Sequence, residues 1–418
     1  MITEKEITLT EEHKAIFSDI KSGKNVLITG EAGTGKSTVL NLLRKEYGAR
    51  LPVTASTGIA AVNVSGVTIH SWAGLGLAKG KPEAIAKTIR TEREKAYANI
   101  RKANRLALDE VSMISGELLD KIDTVFQILR ESDKPFGGIQ MVFFGDFLQL
   151  PPVSKEGKAE FAFKSIAWQT ANVKTHILTK VFRQENQEFA SALSDIRKGV
   201  LSESARAILN SRYNAEDTEP DKEPIILHTH NRDTSAINIQ RLNELEGKRR
   251  SFFAVDEGKP AACALLEKNC IAETILDLKE GAQVMLLANI DQTQGLANGS
   301  MGIVTRFTSR YPVVEFYNGA SMEVTPWEWE IQENGRRAAV RSQIPLKLAY
   351  AITTHKSQGM TLDKVKVFLG NCFEYGQAYV ALSRARSKEG LFIASGNRKA
   401  IRAHPEALNF YGYHSLGS

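Results

Sequence analysis

The stretch Asn25–Thr38 reads NVLITGEAGTGKST, and the rest of the sequence is organised around it. Its apolar opening, Val26-Leu27-Ile28, is typical of a short buried strand, and the residues that follow match G-x-x-x-x-G-K-[ST] without a mismatch. Gly33 and Gly35 allow successive backbone N–H groups, and the N-terminus of the next helix, to point at phosphate oxygens. The stretch therefore predicts a P-loop that binds a nucleoside triphosphate.

Individual residues of this loop have distinct predicted roles. We expect Lys36 to reach the β- and γ-phosphates and the hydroxyl of Ser37 to bind Mg²⁺. ATP and Mg²⁺ are the predicted cofactors. The residues predicted to hold the nucleotide here are Gly33, Thr34, Gly35, Lys36, Ser37 and Thr38.

Length and composition limit the class of protein. A chain of 418 residues has room for about two to four domains. Cys263, Cys270 and Cys372 form neither an even disulfide set nor a metal-site spacing, which favours a reducing compartment. The acidic N-terminus is unlike a signal or transit peptide, and no apolar run approaches the length of a membrane span. We expect a cytoplasmic protein, bacterial or from a phage, with no membrane partner.

Short apolar strands alternate with helical patterns in the first half of the chain, which predicts a parallel sheet. Two of them, Arg105–Glu110 and Gln140–Asp146, end in carboxylates. Ligands gather at the carboxyl ends of the strands in such sheets. Asp109 can hold Mg²⁺ there, and Glu110 can polarise the water that attacks the γ-phosphate.

A second αβ region begins at about His176, with a strand at Glu223–Leu227 and an apolar segment at Ala349–Ile352. Between these two segments the helical pattern gives way to short strand-like pieces. Asn298-Gly299 and Asn318-Gly319 are hairpin signals. This pattern predicts a small β-module inserted into the second αβ domain.

Positive charge is concentrated in one segment. The whole chain carries a formal charge of +6, and residues 79–105 carry nine basic residues against three acidic ones. A segment of this kind can contact a polyanion, or it can be the solvated face of a helix.

Seven ordered stretches resemble superfamily-one helicases of the B class, and most nearly the petite-integration-frequency (Pif-type) DNA helicase family, which is related to RecD-like and Dda-like enzymes. The similarity covers nearly the whole chain. The stretches are GEAGTGKST, STGIAA with TIHSW, LDEVSM, PFGGIQMVFFGDFLQLPPV, VFRQ, AYAITTHKSQGMTLD and YVALSRAR.

The resemblance implies an α/β fold with two RecA-like P-loop lobes built on parallel sheets. The first lobe would span residues 1–175, with a small wedge insertion at about 75–105. The second would comprise 176–245 and 342–418, interrupted by an SH3-like β-barrel at 246–341. Both insertions are expected to guide DNA. Residues 116–136 resemble the segment that marks this family, and their apolar spacing also predicts a helix.

The same resemblance implies roles around the nucleotide. Lys36 and Ser37 would contact phosphate and Mg²⁺, Asp109 the metal, and Glu110 would be the hydrolytic base. Gln149 would sense the γ-phosphate, and Arg183 and Arg384 would reach it from the second lobe. His13 stands where relatives commonly carry a glutamine that reads adenine, which leaves base selectivity open.

Hydroxyl, imidazole and ammonium groups are also expected to contact the backbone of single-stranded DNA, where they position the strand without reading its sequence. By resemblance, the first-lobe contacts are Thr57, Thr68 and His70, and those of the second lobe are Thr353, Thr354, His355 and Lys356.

The predicted function is an ATP-dependent DNA helicase that moves 5′ to 3′ on single-stranded DNA and unwinds tailed or forked duplexes and structures such as G-quadruplexes. We expect a monomer that works with replication or repair proteins. The alternatives are an ATP-driven translocase subunit of a repair or recombination complex, a nucleotide-gated DNA-binding module, and a P-loop small-molecule kinase.

Overall fold

The computed structural model describes residues 9–76, 78–152, 160–180, 186–216, 222–228, 231–291, 294–333, 336–354, 357 and 359–413. The chain divides into two compact units. One comprises Met1–Phe147, Pro151–Lys180 and Gln332–Arg336, and the other comprises Leu148–Leu150, Val181–Ile331 and Arg337–Ser418.

The α-helices of the described residues, α1 to α14 in chain order, are Glu11–Lys21, Lys36–Tyr47, Gly58–Asn63, Ile69–Ala73, Pro82–Glu92, Glu94–Lys102, Gly116–Arg130, Ile166–Thr170, Gln187–Arg197, Glu203–Arg212, Asn231–Glu244, Pro260–Asn269, Gln377–Leu382 and Pro405–Phe410. None of these helices is both long enough and apolar enough to cross a membrane.

The strands of the same residues, β1 to β20, are Val26–Gly30, Val53–Ala55, Val67–Thr68, Arg105–Asp109, Gln140–Phe144, Lys174–Leu178, Ile225–His228, Arg250–Phe253, Val255–Gly258, Ile275–Leu278, Gln283–Leu286, Met301–Phe307, Pro312–Phe316, Ser321–Glu323, Trp327–Glu333, Arg336–Gln343, Leu346–Leu348, Ala351–Thr353, Val365–Phe368 and Leu391–Ser395.

The first unit is built on a six-stranded sheet of order β3-β2-β4-β5-β1-β6, in which the neighbouring strands are parallel. Apolar side chains of α1 and α2 pack against β1 in one core cluster, which includes Ile16, Val39 and Ile28. Strands buried on both faces read as continuous apolar runs, as β1 and β5 do. The predicted parallel sheet is confirmed, and it brings the carboxyl ends of β1, β4 and β5 to one edge.

The basic segment folds as α5 and α6. Several of its arginines bond to backbone carbonyls of the protein itself. Arg90 and Arg101 donate to the carbonyls of Ile128 and Leu129 at 3.4 and 3.2 Å, and Arg93 donates to the carbonyl of Gly74. These bonds attach the segment to the end of α7 and to the turn after α4. Part of the positive charge is therefore structural.

The second unit contains a four-stranded parallel sheet of order β18-β7-β19-β20. Its strands β7 and β18 overlap the two apolar segments that the sequence predicts for this region. A buried side chain of α11 fixes the start of β18, because Asn238 accepts from the backbone N–H groups of Tyr350 and Ala351 at 3.1 and 2.9 Å and donates to the carbonyl of Ala351 at 2.8 Å.

The remaining strands form what we call the β-module, the described residues from 250 to 348. It contains a five-stranded sheet of order β14-β13-β12-β11-β17, the pair β10-β8, and a three-stranded sheet of order β15-β16-β9. Asn318-Gly319 closes the hairpin between β13 and β14, as predicted. Asn298-Gly299 lies at the end of a longer connection between β11 and β12, which pair antiparallel, so this hairpin is present but the two residues do not form its tight turn.

Candidate active site

The P-loop connects β1 to α2 at the carboxyl edge of the first sheet. Gly33 and Gly35 have φ of +84° and +88°, a region that side chains other than glycine rarely adopt. Gly30 has φ of +152°, and a Cβ atom there would lie 2.6 Å from the carbonyl oxygen of Leu178 and 2.7 Å from Thr34 Oγ1. The loop is thus a backbone cradle that larger residues would fill.

The ammonium group of Lys36 lies against this cradle. Its Nζ donates to the carbonyl oxygens of Gly30 and Glu31 at 2.7 and 2.9 Å, and Thr34 Oγ1 donates to the same Glu31 carbonyl at 2.9 Å. Phosphate oxygens accept from an ammonium group in the same way as these carbonyls and carry more charge. The donor set therefore fits a nucleoside triphosphate.

Asp109 ends β4 within electrostatic reach of Lys36. Burial raises the pKa of Asp109 to about 6, while a backbone hydrogen bond from Glu110 and the charge of Lys36 both oppose this rise. The carbonyl of Asp109 accepts from the N–H of Ser56 at 3.1 Å, which ties the end of β4 to the end of β2. A carboxylate held beside a phosphate cradle is a ligand type that Mg²⁺ uses.

Mg²⁺ does not need a larger protein cage, because it commonly binds through one or two side chains, waters and the substrate phosphates. Within the described part of the chain, no group of three or more His, Cys, Asp and Glu side chains is arranged to hold a metal ion. Ser37, exposed in the first turn of α2, and Asp109 are the predicted ligands, and they fit such a sparse site.

Glu110 has a left-handed backbone conformation, with φ of +53° and ψ of +46°. The surrounding chain holds it there: a Cβ atom on Gly145 would lie 3.0 Å from the N–H of Val111, and the N–H of Gly145 donates to the carbonyl of Ile28 at 3.3 Å. The turn that carries Glu110 is therefore packed against the ends of β5 and β1. Strain of this kind concentrates at functional positions.

His13 is buried at the start of α1, where it forms a capping box with Thr10. Its orientation is consequently set by the helix N-terminus. The reading of adenine by His13 stays a prediction.

Two of the predicted γ-phosphate groups, Gln149 and Arg384, fall in the second unit. Gln149 is buried and belongs to that unit together with Leu148 and Leu150. Arg384 is 1% exposed; its Nε donates to the carbonyl of Val380 at 2.9 Å and its Nη1 to that of Ser357 at 3.2 Å. Arg183 lies outside the described residues. The three roles stay predictions, and in this structure the guanidinium group of Arg384 is bonded within its own unit.

The predicted DNA contacts of the first unit follow β2 and β3, so they share a sheet edge with Asp109. Thr57 begins α3 and Thr68 begins α4, and their hydroxyl oxygens accept from the N–H groups of Ala60 and Ser71 at 3.3 and 3.2 Å. Burial lowers the pKa of His70, which favours the neutral form of the ring. These groups can hydrogen-bond to a phosphate without adding charge.

The predicted contacts of the second unit are less accessible. Thr353 and Thr354 are 2% and 3% exposed, and Thr354 Oγ1 donates to the carbonyl of His228 at 3.3 Å. This burial does not favour a direct contact of either hydroxyl with DNA, and the assignment stays a prediction. His355 and Lys356 lie outside the described residues.

Sequence reasoning assigned no role to two carboxylates that the structure makes prominent. Asp146 follows β5 at the same edge as Asp109 and is fully buried. Asp363 is bonded on two sides in the second unit. The position of Asp146 at a strand end was a usable signal, whereas the partners of Asp363 are distant in sequence and gave none.

Known proteins match this chain over nearly its whole length. Residues 8–207 match the family model for PIF1-like helicases, and residues 264–307, within the β-module, match the model for the 2B domain of the DNA helicase Pif1. The crystal structure of Bacteroides sp. Pif1 in complex with ADP-AlF4 is 33% identical with a TM-score of 0.84, and the match covers 97% of each chain.

Two curated relatives are named ATP-dependent DNA helicase PIF1. The relative from Xenopus laevis is 39% identical and the match covers 97% of this chain; the one from Homo sapiens is also 39% identical, over 96%. The chain spans only 64% and 63% of their lengths. The prediction of a bacterial or phage protein is wrong, since these relatives are vertebrate proteins.

Proposed function

Because this chain belongs to the PIF1-like helicase family, we propose that it is an ATP-dependent DNA helicase. The observation that carries the proposal is the grouping of the Lys36 cradle with the carboxylate of Asp109 at one sheet edge. The names of the relatives and the nucleotide analogue of the Bacteroides structure support the same activity.

In this proposal, each residue of the nucleotide site has a separate role. Lys36 exchanges its carbonyl partners for the β- and γ-phosphates, and the N–H groups of the P-loop surround the phosphate chain. Ser37 and Asp109 would hold Mg²⁺, which neutralises phosphate charge when bound. Glu110, fixed by its rigid turn, accepts a proton from the attacking water. Gln149, Arg183 and Arg384 are the proposed γ-phosphate contacts.

We further propose that the substrate is single-stranded DNA joined to a forked or tailed duplex, with movement 5′ to 3′, and that structures such as G-quadruplexes are also unwound. Thr57, Thr68 and His70 supply the proposed backbone contacts of the first unit. In this proposal two RecA-like lobes, residues 1–175 and residues 176–245 with 342–418, carry a wedge at about 75–105 and an SH3-like module at 246–341. The protein acts as a monomer with replication or repair proteins as partners.

Strand displacement with ATP and Mg²⁺ tests this function on two matched duplexes, one with a 5′ single-stranded tail and one with a 3′ tail. We expect selective unwinding of the 5′-tailed duplex, and none by the Glu110→Gln variant. Preference for the 3′ tail would refute the direction. ATP turnover on DNA without strand separation would favour a translocase subunit instead.

A further inference from the structure

The segment Thr361–Asp363, just before β19, lies beside the segment Arg384–Arg386 that follows α13. The N–H of Leu362 donates to the carbonyl of Arg384 at 2.8 Å, and the N–H of Arg386 donates to the carbonyl of Leu362 at 3.0 Å. Leu362 and Ala385 form an isolated parallel bridge. Two backbone hydrogen bonds therefore make these segments a single short ribbon that includes Arg384.

The β-module contacts the same segment at the start of β12. The backbone N–H of Met301 donates to Asp363 Oδ2 at 2.9 Å. Gly299 has φ of +98°, and a Cβ atom there would lie 2.1 Å from the carbonyl oxygen of Thr361. Only glycine permits this approach, so the end of the β11–β12 connection is pressed against Thr361–Asp363.

The carboxylate of Asp363 joins the β-module, at Met301, to Arg386 of the ribbon. Its Oδ1 forms an ion pair with Arg386 Nη1 at 2.7 Å, and the two side chains are 15% and 24% exposed. Charge-assisted bonds of this geometry are stronger than neutral ones, and partial burial limits screening by salt. On the backbone side, a Cβ atom on Gly390 would lie 1.9 Å from the carbonyl oxygen of Asp363, so the segment has little room to shift.

Residues just before this segment accept from the guanidinium group of Arg384. Arg384 Nη1 donates to the carbonyl of Met360 at 3.4 Å as well as to that of Ser357. These bonds form a continuous path from the start of β12 through Asp363 to Arg386, and through the ribbon to Arg384.

We propose that Asp363 is a positioning residue that couples the β-module to the arginine segment 384–386, so that the engagement of DNA by the module alters ATP turnover. This inference rests on the proposed function. Asp363 touches neither nucleotide nor DNA in this scheme; it acts through Arg386 and Met301.

The first test is hydrogen exchange in the whole protein without nucleotide or DNA, which needs no activity. Asp363→Ala removes the bonds of the carboxylate to the Met301 N–H and to Arg386. We expect amide exchange to accelerate at least about tenfold at both Met301 and Arg386, because the protection of both amides depends on the carboxylate of Asp363. Faster exchange at Met301 alone, or at neither position, would overturn the coupling.

The second test is kinetic and uses a change made from the module side. Gly299→Ala should push β12 away from Thr361, whereas Gly319→Ala, at φ of +87° with nothing within 4 Å of the added Cβ, is the matched control. We expect Gly299→Ala and Asp363→Ala to lower the stimulation of ATPase kcat by single-stranded DNA at least about fivefold, with basal kcat within about twofold. Asp363→Glu should restore part of the stimulation.

A merely structural role would lower basal and stimulated turnover equally, and that result would contradict the proposal, as would unchanged stimulation in both variants. Absence of DNA-stimulated turnover in the unmodified protein would instead refute the proposed function, while the exchange experiment would still decide the coupling.

Discussion

The backbone N–H of Thr10 donates a hydrogen bond to Nδ1 of His13 at 3.2 Å, and the backbone N–H of His13 donates to Thr10 Oγ1 at the same distance. A neutral imidazole that accepts at Nδ1 carries its proton on Nε2. In its predicted role beside the nucleobase, such a ring would offer one donor and no acceptor.

This arrangement predicts weak selection between purine nucleotides. A glutamine amide can donate to adenine and accept from its amino group at the same time, whereas a lone donor can serve a ring nitrogen that adenine and guanine share. We expect kcat/KM for ATP and GTP to differ by less than about tenfold, and His13→Gln to raise the ATP preference about tenfold or more.

His13→Ala is the control for this prediction. It removes the hydrogen bond from the Thr10 N–H to the ring and keeps the bond from the backbone N–H of residue 13 to Thr10 Oγ1. We expect a cost of about 1 kcal/mol in the free energy of unfolding and no rise in the preference for ATP. A strong ATP preference in the unmodified protein would contradict the predicted role of His13.

Glu110→Gln should retain ATP binding and lose turnover. The amide keeps the size of the side chain but cannot accept a proton from water, so we expect kcat to fall by roughly 10² to 10⁴. Equilibrium binding of ATP and multiple-turnover hydrolysis on single-stranded DNA measure the two properties separately. DNA-stimulated hydrolysis near the unmodified rate would exclude Glu110 as the base.

The pKa of Asp109, raised to about 6 by burial, predicts that Mg²⁺ binding depends on pH. A protonated carboxyl is a poor ligand, so the apparent affinity for Mg²⁺ should fall as pH drops below about 6, by up to tenfold per pH unit. Titration of Mg²⁺-dependent ATP binding in the Glu110→Gln variant between pH 5 and 7.5 measures this dependence. Asp109→Asn should bind Mg²⁺ weakly at every pH.

The same shift has a consequence for stability in the absence of nucleotide. The folded protein disfavours the charged form of Asp109, because the pKa of this carboxyl is about 6 in the folded state and 3.8 in the unfolded chain. The free energy of unfolding therefore falls as pH rises through about 6. The loss is roughly 3 kcal/mol at most. Asp109→Asn should lack this loss in denaturant titrations, and an equal pH dependence in both proteins would refute the assignment.

In the basic segment, residues 79–105, we expect some cations to contact DNA and others to stabilise the fold. Lys81 and Lys87 are exposed on and just before α5, whereas the guanidinium group of Arg93 bonds to the carbonyl of Gly74. Replacing both lysines with glutamine should reduce the slope of log affinity for single-stranded DNA against log salt by about 1.4, with unfolding unchanged. Arg93→Ala should instead cost about 1 to 2 kcal/mol of stability. An unaltered salt slope would exclude a DNA role for this segment.

Local signals in the sequence predicted much of the fold correctly. The predicted strands at Val26–Ile28, Arg105–Glu110 and Gln140–Asp146 and the hairpin at Asn318-Gly319 are found within one or two residues of their predicted places, because apolar runs and glycine turns act within a few residues. The P-loop and Asp109 share an edge because parallel strands leave no other arrangement for their carboxyl ends.

Other features depend on contacts that no local pattern encodes. The apolar spacing of residues 116–136 predicts α7, but not that Asp123 accepts from the N–H of Phe136, whose φ is +52°, or that Arg130 donates to the carbonyl of Ala103 at 2.9 Å. The bonds of Arg384 to Ser357 and Met360 likewise join segments more than twenty residues apart. Partners of polar side chains at such separations are set by tertiary packing.

At position 110, the left-handed backbone allows selection for stability to be distinguished from selection for ATP turnover. Glutamate is a poor choice for this conformation, at a cost of about 1 to 2 kcal/mol, whereas glycine or asparagine adopts it more readily. In a library of variants, sorting for cellular abundance should enrich glycine and asparagine at position 110, while sorting for growth that depends on ATP turnover should retain only glutamate. If the two sorts rank the residues at position 110 in opposite orders, evolution has kept glutamate there against the conformational preference of the backbone.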